Sequence, residues 1–486
     1  MQTPLHHLEP KPIWKNFEAI NAVPRASKKE EKIIQFMLDF GKKLNLETFT
    51  DSGQNVIIKK PATKGFEDRK TIVLQSHLDM VHQKNNDTKF DFDTQGIDMY
   101  IDGDWVKANG TTLGADNGLG VATIMAILES EDIEHPAIEA LFTIDEETGM
   151  TGAKNLEQSV LKGDILLNLD TEEDDEIGIG CAGGIDITAT RFYIEESIPE
   201  NYQALKITVK GLNGGHSGMD IIKGLGNANK LLNRFLYLGH TKFQMRLASF
   251  VGGGLRNAIP RESEAIICIN KDDINAFREH FLNLVEVIKT EYKNLEPQLN
   301  ISLTEVNQPE KVMSADVQDL FIKSIYAIAN GVYRMSPDIE GLVETSNNLA
   351  KIEAKNGKIE VMCLTRSSVE STKDDLANSI SSSLDLAGFS VELSGDYPGW
   401  QPNTDSDILK IVDQVYQKQN GEKANIAACH AGLECGILGS HYPEMDMISF
   451  GPTIRGAHSP DERASISSTQ KFWKLTLEVL KQIPRK

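Results

Sequence analysis

Two histidines and a set of carboxylates recur in this chain at one kind of place, just past the end of a short apolar run. His77 and Asp79 follow Thr71–Ser76 (TIVLQS), and Asp145, Glu146 and Glu147 follow Ala140–Ile144 (ALFTI). Asp170 follows Ile165–Leu169 (ILLNL), and His458 lies in the Gly-rich loop after Met447–Phe450. Asp116 sits in Leu113–Gly118 (LGADNG), directly before a long apolar run. Imidazole nitrogens and carboxylate oxygens without thiolates suit zinc. His77 and Asp79 are two apart, so in extended chain they point the same way. Asp79 can then accept the second ring N–H of His77 and fix its tautomer. Glu146 and Glu147 are adjacent and cannot both face one ion in extended chain. One can ligate while the other faces the water as a general base.

Each of these features alone has a plainer reading. His-x-Asp at a strand end can be an incidental pair, a Glu–Glu pair a solvated loop, Asp116 a helix N-cap, and His458 a loop histidine. Their joint occurrence at four strand ends and one helix start is what points to a metal centre.

The elements around them explain why they meet. The apolar runs before His77, Asp145, Asp170 and the His458 loop read as buried strands. Asn117–Leu128 (NGLGVATIMAIL) reads as a helix buried on most faces. Ser27 and Glu30 have the spacing of a capping box before an amphipathic helix reaching about Leu44. Strands alternating with helices imply an α/β domain with a mainly parallel central sheet. In such sheets the carboxyl ends of the strands form the ligand crevice.

The pattern changes near Gly183–Gly184. A strand (Leu205–Lys210), a helix (Asn227–Leu238), two strands (Phe243–Val251, Glu264–Asn270), a helix (Ile274–Tyr292) and a strand (Leu299–Val306) follow. A second passage of similar order has a helix (Val317–Asn330), strands near 340–352 and 358–365, a helix (Lys373–Leu386) and a strand (Ser390–Leu393). Both passages have the order of a ferredoxin-like unit. The expected architecture is a discontinuous α/β domain, residues 1–187 and 402–486, with an α+β region, 188–401, inserted between its halves.

Bulk properties narrow the function classes. At 486 residues the chain exceeds one compact core. Asp and Glu outnumber Lys and Arg by 71 to 50, a formal charge of −21, which argues against nucleic acid and anionic membranes as partners. The five cysteines are scattered with no CxxC pair, which fits reduced thiols in the cytoplasm. Met1–Phe17 lacks the layout of a signal peptide, and no apolar run is long enough to span a membrane.

The segments SHLDMV (76–81), GADNGLG (114–120), DEETGMTGA (145–153), NLDTEE (168–173), GGHSG (214–218) and GAHSPDE (456–462) resemble the motifs of the co-catalytic zinc peptidases, a family of aminoacylases, carnosinases and bacterial dipeptidases. The resemblance runs over nearly the whole chain, in the family's order and spacing. It implies two Zn2+ per chain, with Co2+ or Mn2+ as other divalent ions such a site takes. By this likeness Asp116 would bridge both ions, His77 and Asp170 would complete one, and Glu147 and His458 the other. Glu146 would be the general base and Asp79 would orient His77. The family often has Asp after the bridging Asp, joined by a cis peptide; here that position is Asn117, and the cis bond is expected by analogy only.

The inserted region would be a lid of two ferredoxin-like units, the second standing in for a partner's lid. That removes the need for a homodimer without forbidding one. His216 of GGHSG would stabilise the transition state, with a tight Gly-rich turn that merely contains a His as the alternative, and Asn257 in GGGLRNAIP would contact substrate. Arg366 in CLTRSS would grip a C-terminal carboxylate, with a surface arginine as the alternative. Glu434 in HAGLECG would bind a free α-amino group, with a helix-surface carboxylate as the alternative. His82, His135, His430 and His441 match no metal role. The activity implied is cytoplasmic hydrolysis of unblocked dipeptides, preferentially with histidine as the leaving residue and with carnosine included. An aminoacylase of the same fold, which needs no free amino terminus, is the enzymatic rival. A silent zinc-binding protein is the other, and it would be expected to lack a ligand or Glu146.

Overall fold

A computed structural model of the chain describes Leu5 and residues 7–486. Of the opening stretch Met1–Phe17, residues 1–4 and 6 therefore lie outside the described residues, and Lys11–Asn21 is helical. The described chain forms two compact units: its residues up to 180, with 400–428 and 433–486, make the first, and 181–399 with 429–432 make the second. The changeover falls at Gly180–Cys181 rather than at 187–188, and at Gly399–Trp400 rather than at 401–402. The return of 429–432 to the second unit leaves no mark in the apolar pattern.

The first unit is built on an eight-stranded sheet. At its centre four neighbouring strands run parallel: Ile138–Thr143, Ile72–His77, Ile165–Asn168 and Asp446–Ser449. The first three are buried along their whole length and the fourth nearly so, which accounts for their unbroken apolar runs. The helix Ala115–Glu129 packs on Ile72–His77 and is buried on nearly every face. A small sheet pairs Ile454–Arg455 with Arg463–Ser465. The His458 loop is the connection between those two strands.

The second unit is a nine-stranded sheet. Strands Tyr202–Lys210, Arg246–Gly253, Ser263–Asn270 and Asn300–Glu305 stand in the spatial order fourth, first, third, second, the ferredoxin-like arrangement. The second passage lacks a first strand in its own stretch of sequence; Gly183–Phe192 supplies it. That strand pairs with Lys358–Ser367 along its full length and with Ser390–Tyr397 on its other side. One ferredoxin-like unit is thus nested between the first strand and the first helix of the other. Arg246–Gly253 and Val343–Lys355 pair antiparallel and fuse the two into one sheet. Among the described residues no helix is long and apolar enough to cross a membrane.

Candidate metal centre

Because the four central strands are parallel, their polar ends lie along one edge of the sheet. His77 is the last residue of its strand, and its Nε2 lies 3.1 Å from Asp116 Oδ1 and 3.5 Å from Asp170 Oδ1. His458 Nε2 lies 3.2 Å from Asp116 Oδ2 and 3.0 Å from Glu147 Oε2. Donor atoms fall within 4.8 Å of one another in three groups: His77, Asp116 and Asp170; Asp116, Glu147 and His458; and His77, Glu146 and Glu147. Asp116 turns one oxygen to each imidazole, so the first two groups share it. All five residues expected to hold metal, with Glu146 beside them, are brought together in the first unit.

The electrostatics of the cluster ask for cations. Hydrogen bonds donated to Asp116 and Glu147 push the His458 imidazole up to about 11 against the cost of burial. His77 is fully enclosed, which opposes its charge, yet Asp170, Asp116 and Asp79 hold its proton well above the ordinary imidazole range. Burial first, and then the neighbouring carboxylates Asp170, Glu434 and Glu147, drive Glu146 well above the carboxylate range. Burial also raises Glu147 and Asp170. Glu147 Oε1 is buried and has no hydrogen-bond partner. Paired imidazoles, converging carboxylates and an orphaned oxygen fit a pair of divalent cations, with Asp116 between them.

The backbone under the donors is held by residues outside the donor set. Glu462 accepts the N–H groups of Leu113 and Gly114 on one oxygen (2.7 and 2.9 Å) and those of Ala115 and Asp116 on the other (2.7 and 3.3 Å). Arg25, buried, donates to the carbonyls of Leu78, Asp79 and Gly114 and to Asn21 Oδ1. Gly114 has φ +70°, and a Cβ at Gly120 would lie 2.1 Å from Asn117 Oδ1 and 2.5 Å from the Leu169 carbonyl. Gly114 and Gly120 are therefore demanded, one by backbone angle and one by close approach. The Asp116–Asn117 peptide is cis. Asn117 Nδ2 donates to the Leu169 carbonyl and to Asp170 Oδ1.

Asp79 stands behind His77. The imidazole Nδ1 lies 3.4 Å from its carboxylate and 3.2 Å from its own carbonyl, so both oxygens face the ring nitrogen. Asp79 also takes the N–H groups of Glu146 (3.1 Å) and Glu147 (3.3 Å) and the Ser27 hydroxyl (2.8 Å). Burial works against this carboxylate, but the bonds from His77, Ser27 and the Glu146 N–H outweigh it and lower its pKa. The capping box read from Ser27 and Glu30 does not form. The helix Glu31–Lys43 has no side-chain cap, Ser27 serves Asp79, and Glu30 takes the N–H groups of Lys28 and Asp145. Sequence reasoning misses Glu462 and Arg25. Glu462 closes the GAHSPDE motif, which is the available signal; Arg25 leaves none.

Glu434 is not a surface carboxylate. It is 1% exposed at the start of the helix Glu434–His441, and its Oε2 accepts from Thr143 Oγ1 (2.7 Å) and Gln75 Nε2 (2.8 Å). Burial raises it to about 8, and its Oε1 is buried without a partner.

Within the second unit, Arg366 is 5% exposed, so the surface-arginine alternative falls as well. Its Nη1 donates to the Tyr397 hydroxyl (2.7 Å) and its Nε to Ser217 Oγ (3.4 Å). Among the described residues no carboxylate lies within 4.0 Å of its guanidinium. His216, next to Ser217, accepts the N–H groups of Gly218 (3.2 Å) and Met219 (3.1 Å) on Nδ1, which puts its proton on Nε2. Burial and the Arg366 charge lower its pKa, so the ring is neutral at pH 7 with Nε2–H as donor. Asn257 is exposed, and its carbonyl takes the Ser217 N–H (2.8 Å). His430 is buried with Nε2 2.7 Å from Ser346 Oγ, a packing role.

The family described as "Peptidase family M20/M25/M40" matches residues 73–482. The chain is 45% identical over 483 residues, 99% of each chain, to the cytosol non-specific dipeptidase of Escherichia coli (strain K12). It is 45% identical to the crystal structure of aminoacylhistidine dipeptidase from Vibrio alginolyticus, with a TM-score of 0.95, covering 100% of this chain and 99% of the other. The aminopeptidase PepT of Bacillus cereus shares the fold at 14% identity and a TM-score of 0.57, covering 98% and 99% of the two chains.

Proposed function

The chain belongs to peptidase family M20/M25/M40, and from that premise we propose that it is a cytoplasmic, two-zinc dipeptidase hydrolysing unblocked dipeptides, preferentially Xaa-His and including carnosine. The observation that carries this reading is Asp116, whose two oxygens face two separate groups of donors with Glu146 alongside. The full-length relatives named as dipeptidases support it.

His77, Asp116 and Asp170 would hold one cation, and Asp116, Glu147 and His458 the other. Bound there, the pair would supply Lewis acidity and lower the pKa of a nearby water. Glu146, whose carboxylate lies with the His77 and Glu147 donors, takes a proton from the attacking water. It then delivers a proton to the leaving amine nitrogen. Asp79 keeps the His77 ring in one tautomer and orientation. We assign the neutral Nε2–H of His216 to the oxygen of the attacked carbonyl, where negative charge develops. Arg366, buried and free of a carboxylate partner, suits the substrate's C-terminal carboxylate, and Asn257 a polar contact to the substrate. The unpartnered Glu434 Oε1 suits the free ammonium. A receptor at each end of a short substrate favours dipeptides over longer peptides.

The test is hydrolysis of carnosine, Ala-His, Ala-Ala, Ala-Ala-His and N-acetyl-Ala by the native chain and by Glu146→Ala, with metal content measured in both. Cleavage of free dipeptides only, abolished in the variant while both ions remain, is expected. Cleavage of N-acetyl-Ala instead would make the chain an aminoacylase.

A further inference from the structure

A row of buried side chains crosses the central strands of the first unit at their polar ends, and none of it belongs to the metal-binding set. Gln75 and Asn168 face each other in register, as do Asn168 and Ser449. Gln75 is 0% exposed, and Asn168 and Ser449 are each 2% exposed. Ser449 Oγ donates to Asn168 Oδ1 (2.5 Å), Asn168 Nδ2 to Gln75 Oε1 (2.5 Å), and Gln75 Nε2 to Glu434 Oε2 (2.8 Å). Thr143 Oγ1 donates to the same Glu434 oxygen at 2.7 Å.

The direction of this row is set by its members. An amide side chain offers one oxygen and one NH2. Once the Ser449 hydroxyl occupies the Asn168 oxygen, Asn168 must present its NH2 to Gln75, and Gln75 must present its NH2 to Glu434. Every bond donates toward Glu434, which closes the row as an acceptor. One carboxylate oxygen thereby receives two donors while the other, buried, receives none. The unpartnered oxygen lacks a hydrogen-bond donor, and a primary ammonium supplies one with a complementary charge.

We infer that Gln75, Thr143, Asn168 and Ser449 are positioning residues that hold Glu434 as the receptor for the substrate's free amino group. Selection for unblocked dipeptides then depends on a hydrogen-bonded row that itself touches neither substrate nor metal. This rests on the amino-end role of Glu434 proposed above. Without the two donors the side chain is free to rotate, and its charge still attracts an ammonium but no longer fixes where it binds.

Ala-Ala and N-propionyl-alanine share the scissile amide and differ in the ammonium, so they form the test pair. Each is measured as substrate, and N-propionyl-alanine also as a competitive inhibitor, with the native enzyme, Glu434→Gln, Gln75→Met, Thr143→Val and Ser449→Ala. Metal content and thermal unfolding are recorded for each variant. Gln75→Met and Thr143→Val should raise KM for Ala-Ala by about ten- to a hundredfold, the loss of a hydrogen bond to a charged group. Constants for N-propionyl-alanine should stay near native, so the preference falls as it does in Glu434→Gln; Ser449→Ala should show the same trend more weakly. Equal losses on both substrates, or none on either, overturn the inference. Should Glu434→Gln itself leave the preference intact, the amino-end role fails along with it. A Glu434 effect with silent row variants sinks only the positioning row.

Discussion

Replacing Glu462 with Gln isolates what holds the loop carrying Asp116. The carboxylate accepts four backbone N–H groups, two on each oxygen. The amide has the same shape but accepts on one side only, so two N–H groups lose their partner and meet an NH2 instead. At about 1.5–3 kcal/mol per hydrogen bond to a charged group, the ceiling is about 3–6 kcal/mol. Gln also avoids the burial cost that lifts Glu462 to about 7, which favours the lower end, about 3 kcal/mol. Taken from metal binding, that is about a hundredfold in affinity, since about 1.4 kcal/mol is tenfold. Competition of the metal-loaded protein with a chromophoric chelator reads the affinity directly. All four tryptophans (Trp14, Trp105, Trp400, Trp473) lie in the first unit, so their fluorescence follows the unfolding of that unit. Unchanged chelator competition together with an unchanged unfolding midpoint would refute the reasoning, because the four bonds would then carry no net energy.

Metal loading should release protons. In the metal-free protein His458 is held protonated up to about 11 by Asp116 and Glu147, whereas coordination needs the neutral ring. Its stabilising contribution to the metal-free fold is complete below the ordinary imidazole pKa and is lost as pH rises through about 11. Calorimetric titration with Zn2+ at pH 7 in two buffers of different ionisation enthalpy should show net proton release, with affinity falling on acidification; no buffer dependence would contradict it. Arg366→Met should raise KM for Ala-Ala by about tenfold or more and change kcat less, with dipeptide amides much less affected; an unaltered KM would remove Arg366 from carboxylate recognition.

The donor set was legible because each member follows a strand whose apolar run announces itself, and parallel strands bring their ends to one edge. Asp116 was legible for a related reason, at the head of a helix buried almost all round. What supports the donors was not legible. Arg25 acts through backbone carbonyls of distant segments, which impose no residue pattern on them. Ser27 and Glu30 carry the local spacing of a helix cap, but the tertiary demand of Asp79 and of the Asp145 N–H overrides it. The burial of Glu434 and Arg366 was out of reach too, since a charged side chain inside a protein reads like one outside it. The strand Gly183–Phe192 escaped because its partners lie far along the chain.

That distance bears on how the protein is made. Gly183–Phe192 leaves the ribosome well before Lys358–Ser367 and Ser390–Tyr397, the strands that flank it in the finished sheet. At about 5–20 residues per second, it waits roughly ten to forty seconds with both edges open. Meanwhile the nested unit, contiguous from Tyr202 to Glu305, has all four of its own strands and can close first. The last strands to emerge then have a finished template edge, Arg246–Gly253, on which Val343–Lys355 can dock. The order of synthesis makes the inner unit a scaffold for the outer one.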